Sequence, residues 1–146
     1  MKADNAYQNQ INVVGIKMKG IEFVLLAIGS LAGAFLRYKI VSMPLWLGAL
    51  PLNVLTINIL GSFLLGIFSI VSVTWNLDPK YSLLIAIGFC GSFTTMSSFA
   101  LESSNLLDSK QYSIFALNIF ANVGLSFGTV ILGRTLTSII MRVVQS

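Results

Sequence analysis

The chain has 146 residues, 55% apolar and 10% charged, and its nine basic and five acidic side chains leave a net charge of +4. An ordinary soluble domain carries about 25% charged residues, so a surface this poor in charge points to lipid as the solvent. The basic residues form no block, which argues against nucleic acid as a partner. With no His and one Cys, Cys90, there is no Ser/His/Asp or Cys/His nucleophile, no zinc set and no internal disulfide.

Residues 1–19 are polar or mixed and read as an N-terminal extension; residues 20–142 read as one transmembrane domain. Four apolar stretches are expected as helices, over about 21–40, 50–75, 80–107 and 112–140, each reaching the roughly 20 residues that cross a bilayer core. Lys17 and Lys19 ahead of the first stretch, with Ala32-Gly33-Ala34 inside it, imitate a signal peptide. The basic region would be unusually long for one, so the first helix is expected to be retained. The separators carry breakers or charge: Met43-Pro44, then residues 76–80, then Asp108-Ser109-Lys110. Pro79 suits the first turn of helix three. Trp46, Trp75, Tyr81 and Tyr112 sit near helix ends, where aromatic belts form.

Four crossings put Lys2, Lys17, Lys19, Lys80 and Arg142 on one side and Arg37, Lys39 and Lys110 on the other. The excess comes from the N-terminal extension, and counts near the helix ends are close to balanced. Such a chain has little bias and can insert either way round.

In helix one, Gly29, Gly33 and Arg37 recur at four-residue spacing. Packing alone accounts for the glycines, since small residues let backbones approach closely in lipid. Arg37 stands about one turn from its helix end, where it can snorkel to headgroups or gather anions at a pore mouth. Helix two lines up Asn58, Ser62, Gly66 and Ser69, and helix four lines up Asn118, Asn122, Ser126, Thr129 and Gly133. Both stripes follow the helical period. Interhelical hydrogen bonding is one reading, at about 0.6 kcal/mol per bond. A hydrophilic track for a small solute is the other. Neither stripe holds a carboxylate, so such a track would suit an anion.

Helix three carries the sharpest signal. Residues 88–99, Gly-Phe-Cys-Gly-Ser-Phe-Thr-Thr-Met-Ser-Ser-Phe, interrupt an apolar span with glycines and five hydroxyl side chains. Such a cluster favours a broken helix whose freed carbonyls need a ligand or cavity, over a continuous helix with back-bonded hydroxyls. Past the break, Thr95, Ser98 and Glu102 share one face, and Met96 and Phe99 share a neighbouring one. Glu102 lies about 8 Å short of the expected helix end, deep for a carboxylate in lipid.

These stretches resemble the fluoride channels known as Fluc or CrcB. The resemblance rests on residues 33–38 (Gly-Ala-Phe-Leu-Arg-Tyr), on 58–66 (Asn-Ile-Leu-Gly-Ser-Phe-Leu-Leu-Gly) and on Gly88 through Glu102. It implies an all-α integral membrane protein with four transmembrane helices per chain, helix three broken, assembled in the cell inner (plasma) membrane as an antiparallel, dual-topology homodimer. The implied function is passive, fluoride-selective export from the cytoplasm through two pores per dimer, without enzymatic chemistry. It further implies a structural sodium ion at the dimer centre, held by the backbone carbonyls of Gly91 and Thr94 of both subunits. By the same resemblance Asn58 is the pore asparagine, positions 96 and 99 are the paired pore phenylalanines, Glu102 is the helix-three glutamate and Arg37 the vestibule arginine. Ser62, Thr95, Ser98, Asn118 and Asn122 complete the expected pore. Three positions depart from the pattern: Met96 replaces the first phenylalanine, Val54 stands where threonine is common, and Asn118 where tyrosine is frequent. Small multidrug exporters share the four helices and antiparallel dimer, but they centre on a carboxylate inside helix one. Here Glu22 lies at that helix's edge.

Overall fold

The computed structural model describes residues 20–47 and 50–144, so the N-terminal extension expected over 1–19 lies outside the described residues. Among the described residues, four helical runs are long and apolar enough to cross a membrane: Gly20–Val41, Asn53–Thr74, Lys80–Asp108 and Tyr112–Val144. Their outward faces carry large apolar side chains such as Phe23, Leu31, Phe35, Phe120 and Phe127. A surface of that kind needs lipid or protein to cover it.

The first run is α1, Gly20–Val41. A short antiparallel pair follows, β1 (Trp46–Leu47) with β2 (Leu50–Pro51), Leu47 opposite Leu50. Helix α2, Asn53–Thr74, therefore starts three residues later than the apolar pattern suggests. The reason is local. Leu52 N–H bonds the Leu45 carbonyl at 3.0 Å, and Asn53 Nδ2 donates to the carbonyls of Ile40 at 2.7 Å, Val41 at 3.2 Å and Met43. One buried amide thus ties the end of α1 and the turn after it to the start of α2.

Helix α3 opens at Lys80–Ser82, widens into a π-helix over Leu83–Cys90 and closes with Gly91–Phe93. In the wide segment each N–H reaches one residue further back, and Gly91 N–H still reaches the Ala86 carbonyl. Thr94 (φ −73°, ψ 158°) and Thr95 (φ −151°, ψ 113°) are extended. Helix α4, Met96–Asp108, then resumes the run. Helix α5, Tyr112–Val144, has 33 residues, about 50 Å at 1.5 Å per residue, and overshoots a bilayer core of about 30 Å.

Helices pack in two parallel pairs, α1 with α3 and α2 with α5, while α4 lies against α5. Glycines set both distances. A Cβ on Gly29 would collide with the Leu84 carbonyl, and one on Gly33 with that of Phe89. In the other pair a Cβ on Gly66 would sit 2.5 Å from the Val130 carbonyl, and one on Gly133 2.6 Å from that of Phe63. Gly61 does the same service for the interruption, since a Cβ there would strike Thr94 Cγ2. The buried core (Val54, Ile57, Phe68, Phe93, Phe99) gathers where α2 meets the two halves of the third run.

Candidate functional site

Asn58 projects from α2 onto the extended Thr94–Thr95 link. Its Oδ1 accepts the Thr95 N–H at 2.9 Å, and its Nδ2 approaches the Thr95 carbonyl at 3.4 Å. One side-chain amide therefore brackets both backbone groups of Thr95, whose N–H has no helical partner there. Thr95 in turn caps α4: its Oγ1 accepts from Ser98 N–H at 3.2 Å and bonds Ser98 Oγ at 3.1 Å and Ser97 Oγ at 3.2 Å. This is the N-cap arrangement that hydroxyl residues favour.

Both bonds have a consequence on the chain behind them. In a continuous α-helix Thr95 N–H would go to the Gly91 carbonyl, and Ser98 N–H to the Thr94 carbonyl. Here Asn58 Oδ1 takes the first and Thr95 Oγ1 the second. The carbonyls of Gly91 and Thr94 are thereby released from the ladder.

A cavity of about 350 Å³ opens beside this link, between α2, α3, α4 and α5. Of the residues singled out from the sequence, Asn58, Ser62, Gly91, Thr94, Thr95, Met96, Phe99 and Asn122 line it. Phe99 is 7% exposed and Met96 72%, so the aromatic wall faces inward and the thioether stands at an open side. No charged side chain is among the lining residues.

The other candidates stand off the cavity. Ser98 reaches it only through Thr95. Asn118 is fully buried behind Asn122, whose Nδ2 donates to Asn118 Oδ1 at 2.9 Å and to its carbonyl at 3.1 Å. Glu102 is half-buried on α4, its Oε2 buried without a hydrogen-bond partner among the described residues. Arg37 is half-buried near the end of α1, away from the lining residues. Ser126, a member of the helix-four stripe, also lines the cavity, its hydroxyl buried without a hydrogen-bond partner among the described residues. One residue escaped sequence reasoning. Ser103 accepts from Asn118 Nδ2 at 3.2 Å, and its signal was its place on the Thr95–Phe99 face, at four-residue steps.

Residues 24–134 match the family model described as CrcB-like protein, Camphor Resistance (CrcB). The chain belongs to the CrcB family. Among CrcB relatives, the fluoride-specific ion channel FluC of Nitrosopumilus maritimus is 61% identical over 124 residues, covering 85% of this chain and 98% of that one. FluC of Methanococcus aeolicus is 34% identical over 121 residues, covering 83% and 98%. FluC of Saccharophagus degradans is 41% identical over 120 residues, covering 80% and 90%. The matched stretch takes in every residue of the cavity and leaves the N-terminal extension outside.

Proposed function

We propose that this chain is a passive, fluoride-selective channel of the plasma membrane, letting fluoride out of the cytoplasm through two pores in an antiparallel homodimer. The observation that carries the reading is the uncharged, donor-bearing cavity of Asn58, Ser62, Asn122 and Ser126 with Phe99 in its wall. The names of the relatives support it. Fluoride is small and strongly hydrated, so stripping its water demands close donors along the whole path. Amide N–H and hydroxyl groups supply them without the negative charge that would repel an anion. The positive edge of the Phe99 ring offers a further favourable contact while the ring excludes bulk water. Arg37 would gather anions before entry.

A second copy of the chain would close the open side of the cavity, where Met96 and Val123 are exposed. The near balance of basic residues at the helix ends lets copies insert in both directions. The structural sodium ion of our reading fits the released carbonyls of Gly91 and Thr94, because a hard cation takes neutral oxygen ligands. Two carbonyls from each subunit would hold it. Once bound, it supplies a fixed positive charge that offsets the desolvation of a passing anion.

Purified protein in liposomes, with fluoride and chloride efflux followed by ion-selective electrodes, tests the reading. Fluoride should leave rapidly and chloride hardly at all; equal fluxes, or none, overturn it. Periplasmic and cytoplasmic reporters fused to the C-terminus should both be active, and a signal from one alone overturns the dual topology.

A further inference from the structure

The far end of α5 carries two arginines and no counter-charge. No Asp or Glu occurs anywhere in Tyr112–Val144, and neither Arg134 nor Arg142 has an ion pair or side-chain hydrogen bond among the described residues. The two stand at different depths. Gly133 packs on the Phe63 carbonyl and the Ile67 nitrogen, so Arg134 lies at about the depth of Ile67. From there α2 runs on to its end at Thr74, about 10 Å at 1.5 Å per residue. Arg134 is therefore below the rim that Trp75 marks, and Arg142, about 12 Å further along α5, comes level with that rim. A positive charge at the depth of Arg134 is expensive unless it reaches an anion. At about 100° per residue, Phe127, Ile131, Arg134, Ser138 and Arg142 share one flank of the helix about 80° wide. Ser138 is small and donates back to the Thr135 carbonyl at 2.9 Å, so the flank between the arginines stays clear. Deeper on it, Phe127 is 68% exposed and Ile131 50%. Cations at the rim above bare apolar side chains repeat the order of headgroup and chain in a phospholipid.

We infer that Arg134 and Arg142 form a binding site for the phosphate of an acidic phospholipid, whose acyl chain lies over Ile131 and Phe127. Guanidinium groups take phosphate oxygens through forked, charge-assisted hydrogen bonds, and two of them can bridge one phosphate. Arg142 by itself has another explanation, since a cation in the last turn offsets the negative end of a helix. Arg134 lies ten residues before that end and gains nothing from it. Asp78, in the loop after α2, is already paired with Lys80 at 3.0 Å. The site stands on the exposed flank of α5, outside the cavity lining, and does not depend on what the cavity conducts.

Native mass spectrometry of the detergent-solubilised protein, titrated with phosphatidylglycerol or with phosphatidylcholine, tests the site. Two arginines at the headgroup should favour the acidic lipid about tenfold or more. Arg134→Gln and Arg142→Gln should each cut that preference to about twofold, because one guanidinium cannot bridge the phosphate alone. Lys110→Gln removes the same charge at the opposite end of α5 and should leave the preference unchanged. The readout is an affinity of folded protein, so a lower yield does not move it. No preference in the parent, or an equal loss in Lys110→Gln, overturns the site. So do partial losses that simply multiply in the double variant, since these mark diffuse surface attraction. Inorganic phosphate that binds as tightly as phosphatidylglycerol overturns the lipid assignment. If Arg134→Gln yields no protein, an undiminished preference in Arg142→Gln overturns it instead.

Discussion

Between α1 and α3 the backbones meet at Gly29, Gly33 and Gly88, and beside that seam lies a cavity of about 430 Å³ walled by residues such as Ile28, Leu64, Phe68, Ile85 and Phe89. Between α2 and α5 they meet at Gly66 and Gly133, and there the wall of the neighbouring space mixes the amides of Asn58 and Asn122 and the hydroxyls of Ser62 and Ser126 with apolar side chains such as Leu65 and Phe99. Close approach is achieved the same way in both pairs, through small residues that let carbonyls touch the facing backbone. Polar side chains are therefore not what a helix pair needs to form in lipid. Burying Asn118 and Asn122 and half-burying Asn58 has a desolvation cost, and an interhelical bond returns only about 0.6 kcal/mol on average. The polar seam is better explained by what it presents to a solute than by adhesion.

Gly29→Val attacks the apolar seam and should have the largest effect. Its Cβ would overlap the Leu84 carbonyl, a backbone atom that cannot step aside. Parting the helices should destabilise the fold by at least about 3 kcal/mol, seen as a large loss in thermal stability in detergent. Channels that survive should keep the parent's selectivity; a changed selectivity would mean the two seams are not separable.

Asn58→Asp attacks the polar seam with little change of shape. It removes the donor and offers negative charge, so fluoride efflux should fall about a hundredfold or more, as when an oriented anion-stabilising donor is lost. Parent-like efflux would reduce Asn58 to helix glue. Phe99→Ile should cut efflux about tenfold by taking the ring edge from the wall, whereas Met96→Phe should stay close to the parent, because the flexible thioether at the open side acts as a compliant wall. The reverse pattern would exchange the two roles. Thr95→Val should be mildest, lowering stability by about 1 kcal/mol through the lost cap on α4, measured as a small drop in melting temperature.

Much of this was legible in one dimension because lipid imposes simple rules. Apolar runs of sufficient length must be helices, since no other conformation satisfies a lone backbone segment there; α1 matches the expected span to within a residue at each end. The asparagine and hydroxyl stripes were legible from the helical period. Other features were not. The start of α2 depends on Asn53 reaching back to the end of α1, a contact across a loop that no local pattern announces. The π-helical stretch Leu83–Cys90 has no period of its own to read in eight apolar residues.

Spans, stripe membership and the choice of Asn58 and Thr95 were set by the sequence itself, because residue type and spacing suffice to say which face of a helix a side chain occupies. Tertiary structure alone decided which stripes meet. Asn58 and Asn122 are 64 positions apart in the chain, and only the parallel packing of α2 on α5 puts their amides 3.1 Å from each other. The same packing sends Asn118 behind the wall and Ser126 into it, though both belong to one stripe. A stripe specifies direction around one helix axis. Depth behind a wall depends on how two axes approach, and that distance is set by glycines on the partner helix.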